Sequence, residues 1–439
     1  MKIPEVLLVE VEHAPGNLAK MLTAVGECGV VIDSLQAQSR TQNLTLWELT
    51  LHLPEGDHTR YLDAINSVDC ARVVGRSDRV FTRHEGGKIH MRSRSPIDSL
   101  SVLRDVYTPG VARVCRAIEK EPELADRYTN RPRTVAIVTN GTAILGLGDI
   151  GPLAGLPVME GKAALFQTLA GLSGIPILVE SHDPKVIFET VANIAPSFGA
   201  IQLEDIAAPA CFEVERALQE RLDIPVLHDD QHGTAVVALA GMLSGMRELG
   251  LDPREARIGQ IGLGAAGIGI GRLLRAFGVT RMVGTDLSEE AMAHYESFGG
   301  QRDSLQGVMS QADVIIATTG VRDLIRPEWI RPGQVVFALS NPDPEIEPVA
   351  ALKAGARFAA DGKNINNVLG FPGLFAGALK AKARRFTPEM LLAAAESISI
   401  QAPKGRLVPG PLNKTIHNNI AEAVRQAALT SNAHLPPTH

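Results

Sequence analysis

Residues 5–12, EVLLVEVE, alternate apolar and polar positions closely enough to predict a half-buried strand. The next segment, APGNLAKMLTAVGECG, changes period. Pro15 and Gly16 turn the chain, Asn17 is placed to cap a helix, and Leu18, Met21, Leu22 and Val25 recur at helical spacing until Gly29 ends it. VVIDSLQAQSR and LTLWELTLHL then read as a hairpin turning at Thr41–Asn43, followed by a helix near 57–67 and a strand near 70–82. This β-α-β-β-α-β order predicts a ferredoxin-like module. Residues 83–98, RHEGGKIHMRSRSPID, lose the apolar period and read as a linker.

From 134 to 240 the pattern is different. TVAIVT, IPILVE, AIQL and IPVLH are short runs too apolar to face water, and they alternate with amphipathic segments near 159–173, 184–195, 210–222 and 231–248. Repeated β-α units of this kind predict a parallel sheet covered on both faces. A second series begins at RIGQI (257–261) and continues through RMVGTD, ADVIIATTG, QVVFALS and ARFAA, with a last helix in LVPGPLNKTIHNNIAEAVRQAAL. The fold class is therefore α/β, with a small N-terminal module ahead of two parallel-sheet domains.

Composition narrows the class. The chain has 439 residues, 45% of them apolar, with 41 glycines and few aromatics. That length predicts roughly two to four domains. A net charge of −6 without a long basic run argues against nucleic acid or a membrane surface as partner. Cys28, Cys70, Cys115 and Cys211 lie far apart and form no zinc spacing, so reduced thiols in a soluble cytoplasmic protein are expected. The first residues lack the charged-then-apolar pattern of a secretory signal, and no stretch is long and apolar enough to span a bilayer.

Two features carry chemistry. Glu204-Asp205 and Asp229-Asp230 each follow a strand directly, on the rim where parallel sheets bind ligands. Adjacent acids repel, and a strand end is a costly place to desolvate them. Carboxylates converging there suit a hard divalent cation such as Mg²⁺ or Mn²⁺. The structural alternative makes Asp205 and Asp230 two separate helix N-caps, which does not require doubled acids. The second feature is Gly262-x-Gly264-x-x-Gly267, with a strand before it, a helix from Ala265 and Ala266 onward, and Asp286 at the end of the next strand. The glycines permit a tight turn and close approach of a pyrophosphate to the helix N-terminus, and Asp286 is placed to bind the ribose hydroxyls. No base follows Asp286; the next residues are Leu287, Ser288, Glu289 and Glu290, which predicts NAD over NADP.

Residues 12–33, EHAPGNLAKMLTAVGECGVVID, resemble ACT domains, which implies a regulatory module whose effector site lies at Pro15, Gly16 and Asn17; the alternative is a dimerisation module without ligand. Further on, DVYTPGVA (105–112), ILGLGDIGP (144–152), MEGKAALF (159–166), QLEDIAAP (202–209), HDDQHGTA (228–235), GLGAAG (262–267), LSNP (339–342) and NINNVLGFPG (364–373) occur in the order seen in malic enzymes. The chain resembles the short bacterial form of that family. The resemblance implies divalent-metal-dependent oxidative decarboxylation of L-malate to pyruvate and CO₂ with reduction of NAD, or of NADP. On matching positions it makes Glu204, Asp205 and Asp230 the metal ligands, Lys162 the general base and Tyr107 the general acid. It makes Asn341, Asn366 and Asn367 substrate contacts, with Asn341 also at the cofactor. Asp229 is left as a supporting residue or a cap. For Lys162 to act as base, its pKa must fall, through burial and the nearby cation.

The chain departs from larger members at Ala143, where they carry an arginine, so the second substrate carboxylate must be met by the asparagines or by a partner subunit. The expected domains are 1–84 (ACT), 85–235 (substrate and metal), 236–425 (Rossmann, NAD-binding) and a flexible tail at 426–439, in a homodimer or higher homo-oligomer. Malolactic chemistry and a catalytically silent metabolite sensor are the competing readings.

Overall fold

The computed structural model describes residues 5–52, 60–76, 79–144, 147–341, 343–365 and 367–435. The chain divides into two compact units, Met1–Lys88 and Ile89–His439.

The first unit contains β1 (Glu5–Glu12), α1 (Asn17–Glu27), β2 (Val31–Arg40), β3 (Leu44–His52), α2 (Arg60–Asn66), β4 (Ala71–Arg76) and α3 (Arg79–His84). Its sheet is antiparallel in the order β2-β3-β1-β4, the ferredoxin-like plan that the alternation predicts. Leu7, Val9 and Val11 on one strand and Leu49 and Leu51 on the next bury against Met21, Val25 and Ile65 of the two helices. Two local expectations are corrected. The cap position of α1 is Gly16, in a left-handed conformation, and Asn17 is the first helical residue. The strand expected to reach 82 stops at Arg76, which pairs with Leu7 near the start of β1. Further on, Arg79–His84 coil into a helix.

The second unit opens with α4 (Leu100–Val106), α5 (Val111–Lys120) and α6 (Leu124–Tyr128). Then come β5 (Thr134–Thr139), α7 (Pro152–Leu165), β6 (Ser173–Leu178), α8 (Pro184–Ile194), β7 (Ala200–Leu203), α9 (Ala210–Arg221), β8 (Val226–His228) and α10 (Asp229–Leu249). These strands form a parallel sheet in the order β6-β5-β7-β8. The remaining elements are β9 (Ile258–Ile261), α11 (Ala265–Phe277), β10 (Met282–Thr285), α12 (Glu289–Ser297), β11 (Gln301–Arg302), α13 (Leu305–Gln311), β12 (Val314–Ala317), β13 (Val335–Ala338), α14 (Pro348–Lys353) and β14 (Phe358–Asp361), closed by α15 (Phe371–Lys380), α16 (Pro388–Ile400) and α17 (Lys414–Thr430). They build a six-stranded parallel sheet, β11-β10-β9-β12-β13-β14. The order reverses between β9 and β12, the switch point where doubly wound sheets bind dinucleotides.

α10 joins the two sheets. Its run TAVVALAGMLSGM is buried nearly all round and shares one core with β5 and with β9 and β12. The expected boundary at 235/236 lies inside this helix. α17 likewise carries packed structure past 426, with Ala428 and Ala433 buried.

Two helix starts differ from the apolar pattern, and both matter for the site. α7 begins at Pro152, directly after Gly151, so Lys162 lies in its last turn. α10 begins at Asp229, so both acids of the second pair sit inside its first turn, where the helix dipole favours them.

Candidate active site

β7 and β8 are neighbours, so the acids at their ends meet on one rim. One carboxylate oxygen from each of Glu204, Asp205 and Asp230 lies within 4.8 Å of the other two. Neither Asp205 nor Asp230 is a helix cap: α9 starts after Pro209, and His228 precedes α10. Asp205 sits in a left-handed conformation at φ 52°. Its backbone N–H donates to Asp230 Oδ2 at 2.9 Å, and Gln202 donates to Glu204 Oε2 at 2.6 Å. Neutral donors thus help to hold Glu204 and Asp230 in place.

Lys162 is the lysine among their described partners, and the His228 ring stands 3.6 Å from Asp230 Oδ2. Lys162 Nζ lies 2.9 Å from Glu204 Oε1, donates to Asp229 Oδ2, and sits 4.5 Å from the centre of the Phe371 ring. Burial works against the ammonium. Asp229 and Glu204, together with the hydrogen bond to Asp229, more than offset that and hold Lys162 well above the usual lysine range. Without a cation these carboxylates outweigh burial, which alone acts in the expected direction; the expected fall is tied to burial and a cation together. Burial in turn raises the carboxyls of Glu204 and Asp229, with Lys162 pulling the other way. The excess of buried negative charge over positive is the condition that a divalent cation relieves. With its three carboxylates, the rim fits Mg²⁺ or Mn²⁺.

Asp229 is neither a metal-cluster member nor a cap. It is the anchor of Lys162, and it also accepts from Asn367 Nδ2 at 3.0 Å. Its carboxylate folds back over the first turn of α10, and a Cβ at Gly233 would stand 1.9 Å from Asp229 Oδ1, so glycine is required there.

At the second sheet, Gly262 has φ +89°, and a Cβ on Gly267 would approach Gly262 O to 2.1 Å. Both glycines are needed for the turn to close. A Cβ on Gly264 would meet nothing, so that residue faces free space, and α11 begins with Ala265 and Ala266. Asp286 accepts from Leu263 N at 2.6 Å and from Ser288 N at 2.8 Å, which ties the glycine turn to the end of β10. A carboxylate has about four acceptor positions, so sites remain for a ribose. A cavity of about 840 Å³ borders Gly264, Asp286 and Ser288 on one side and Phe212 and Arg216 of α9 on the other.

Comparison with known proteins now bears on this geometry. The family described as malic enzyme, N-terminal domain, matches residues 87–219. The chain is 52% identical over 428 residues to NAD-dependent malic enzyme 1 of Bacillus subtilis, covering 97% of this chain and 98% of that one. The chain belongs to the malic enzyme family. It is also 38% identical to the NAD-dependent malic enzyme of Geobacillus stearothermophilus, over 94% of this chain and 91% of the relative. The crystal structure of the NAD-dependent malic enzyme from Thermotoga maritima superposes with a TM-score of 0.75 at 36% identity, covering 80% of this chain and 99% of that one.

Within this malic enzyme, one network joins Lys162, Asp229, Asn367 and the metal-fitting acids. Asn341 lies apart from it, after β13, with its amide donating to Gly362 O at 3.2 Å. Asn366 lies outside the described residues. Tyr107 is 67% exposed and is not among the partners described for Lys162 or the acids. Ala143 packs its backbone against the site, its N–H donating to Asp205 O at 3.0 Å.

Two residues escaped the sequence reading. Glu215 of α9 is buried and accepts from His228 N, Gln231 Nε2 and the ring of His232, so it fixes the start of α10 from behind. Burial opposes its ionisation, but His232 holds the carboxyl below the ordinary range. Arg272 reaches the cavity beside Asp286 from the third turn of α11, engaged with His294 at 2.7 Å. Neither stands in a motif, and only the pairing of α9 with α10 and of α11 with α12 reveals them.

Proposed function

We infer that this chain catalyses the divalent-metal-dependent oxidative decarboxylation of L-malate to pyruvate and CO₂, with NAD as hydride acceptor. The observation that carries this reading is the convergence of Glu204, Asp205 and Asp230 beside the buried Lys162. When bound, a divalent cation stabilises oxygen atoms that become anionic during the reaction, and NAD takes the hydride.

The chain's own residues do the rest. Glu204, Asp205 and Asp230 would hold the cation. Lys162 is proposed to take the C2 hydroxyl proton, and positive charge at the acid cluster would offset part of the carboxylate pull on its ammonium. Asp229 and Phe371 fix where its Nζ points, and Asn367 fixes Asp229. Asn366 and Asn367, with Asn341, are proposed to meet the substrate, and Ala143 leaves the second carboxylate to such neutral donors or to a partner. Tyr107 is proposed to return a proton to C3.

The exposure of Tyr107 supports a homo-oligomer. No residue of α4, α5 or α6 is fully buried, and Leu100, Leu103 and Val106 stand exposed beside Tyr107. In this reading a second copy covers that face, and sedimentation at micromolar concentration should give a dimer or larger. The four cysteines are unpaired, as suits the cytoplasm we propose. No described helix is long and apolar enough to cross a membrane.

Residues 1–84 are proposed to be an ACT domain serving catalysis at 85–235 and nucleotide binding at 236–425. The turn at Pro15–Gly16–Asn17 lies in the same unit as Arg40, whose guanidinium contacts the ring of His13. One member of a panel of amino acids and organic acids is expected to shift the KM for malate. A Gly16→Val chain should lose that response, because valine resists the left-handed conformation. A full chain indifferent to the whole panel would make the module structural only.

The deciding assay supplies malate, Mn²⁺ and either nucleotide. Net NADH formation is expected, with kcat/KM for NAD at least about tenfold above NADP, which is about 1.4 kcal/mol in the transition state. The reason is that a 2′-phosphate would meet the Asp286 carboxylate. Lactate without NADH would select malolactic chemistry, and silence would select a sensor. Parity with NADP would mean that Arg216 or Arg272 reaches the 2′ position.

A further inference from the structure

Glu345 has no part in the site described so far. It lies in the segment after β13, is 0% exposed, and no lysine or arginine is among its described partners. Its carboxylate instead collects neutral donors from two different loops. Oε1 accepts from Thr319 N at 2.6 Å, Thr319 Oγ1 at 2.9 Å and Ser340 Oγ at 2.5 Å, and Oε2 faces Ser340 N at 3.5 Å. Each hydroxyl passes the constraint on. Ser340 Oγ accepts from Gly320 N at 2.8 Å, and Thr319 Oγ1 accepts from Val321 N at 3.1 Å.

The two loops so joined follow β12 and β13. They occupy the β12–β13 half of the rim, across the switch point from Asp286. A dinucleotide laid across such a switch point puts its adenosine half over β9 and β10 and its nicotinamide half over β12 and β13. The network touches the glycine turn at one end, where Thr318 Oγ1 donates to Gly262 O at 3.1 Å. At the other end it stops at Ser340, next to Asn341, whose amide is anchored on Gly362 O. A buried carboxylate serving only to stabilise the protein is poorly explained here, since desolvating it is costly and none of its described partners carries an opposite charge to offset that cost. A carboxylate that must hold several N–H and O–H groups in one geometry explains it well.

We propose that Glu345 is a positioning residue for the nicotinamide half of the dinucleotide. Through Thr319 and Ser340 it holds the loops after β12 and β13 at a set separation, and so sets the backbone that the ring meets and the placement of Asn341. This rests on the NAD-linked reading above.

The test compares the full-length wild type with Ser340→Ala, Ser340→Thr, Glu345→Gln and Glu345→Ala. Each is titrated with NADH, by nicotinamide fluorescence, and with ADP-ribose, which lacks only the nicotinamide ring. Ser340→Ala and Glu345→Ala should raise the Kd for NADH about tenfold, the effect of losing one or two hydrogen bonds to a charged acceptor. Their Kd for ADP-ribose should stay within about twofold. Ser340→Thr keeps the hydroxyl and Glu345→Gln keeps an acceptor at Oε1, so both should fall closer to wild type. If Glu345→Ala does not fold, Ser340→Ala decides alone. Equal weakening for both ligands, or no change for either, overturns the proposal. A wild type that binds neither ligand refutes the NAD-linked reading, whereas a wild type that binds both beside an unaffected Ser340→Ala refutes only the role of Glu345.

Discussion

Asp230→Asn is expected to abolish malate oxidation while leaving the chain folded. The asparagine has nearly the same shape, and Asp205 N can still donate to its side-chain oxygen as it does to Asp230 Oδ2. What disappears is one of three charges that fit a divalent cation. Turnover should fall at least about 10³-fold, roughly 4 kcal/mol at the transition state. Stability should move the other way. In EDTA the variant has less repulsion among buried acids than the wild type, so its Tm should equal or exceed the wild-type value. With Mn²⁺ added, only the wild type should gain, because a ligand stabilises the state that binds it. Parallel melting curves with and without Mn²⁺, alongside NADH production, check all three statements. Wild-type turnover in EDTA without added metal would remove the cation from the mechanism.

Lys162→Ala should be as damaging to turnover and should also weaken the metal-free fold. Loss of a general base typically costs about 10²–10⁴ in rate. The structural effect follows from the partners left behind. Asp229 and Glu204 would stay buried with no ammonium between them, and breaking a buried ion pair from one side costs about 3–5 kcal/mol. A cation at the neighbouring cluster replaces part of that charge, so the loss of Tm should be large in EDTA and smaller with Mn²⁺. Single-turnover NADH formation separates the chemical role from the structural one, because it is read on protein that melting shows to be folded. A Lys162→Ala enzyme that forms NADH at the wild-type single-turnover rate would dismiss Lys162 as the base.

Much of the architecture was determined locally. Strands such as TVAIVT and VVFA are mostly apolar, are buried at every position and have little choice but the centre of a covered parallel sheet. Gly262 and Gly267 stand where any Cβ would collide with backbone, so the turn could be read from the glycines alone. The acids needed no structure to be noticed either, because doubled charge at a strand end contradicts burial unless something binds it. Helix starts were less legible. Pro152 and Asp229 begin their helices earlier than the apolar period suggests, since a period marks which face is buried and not where the first turn forms.

What only the tertiary structure decided is which charges answer one another. Lys162 and Asp229 stand on α7 and α10, far apart in sequence, and their contact depends on β5, β7 and β8 lying side by side. That contact makes Asp229 the anchor of the lysine, a supporting residue and not a cap, and in the absence of a cation it helps to hold the Lys162 pKa up. Glu345 shows the same limit. Its sequence neighbours make it look like a loop acid, and only the parallel pairing of β12 with β13 brings Thr319 and Ser340 to its two oxygens. Electrostatic roles depend on distances across the chain. Periodicity and motifs report only on what is near in sequence.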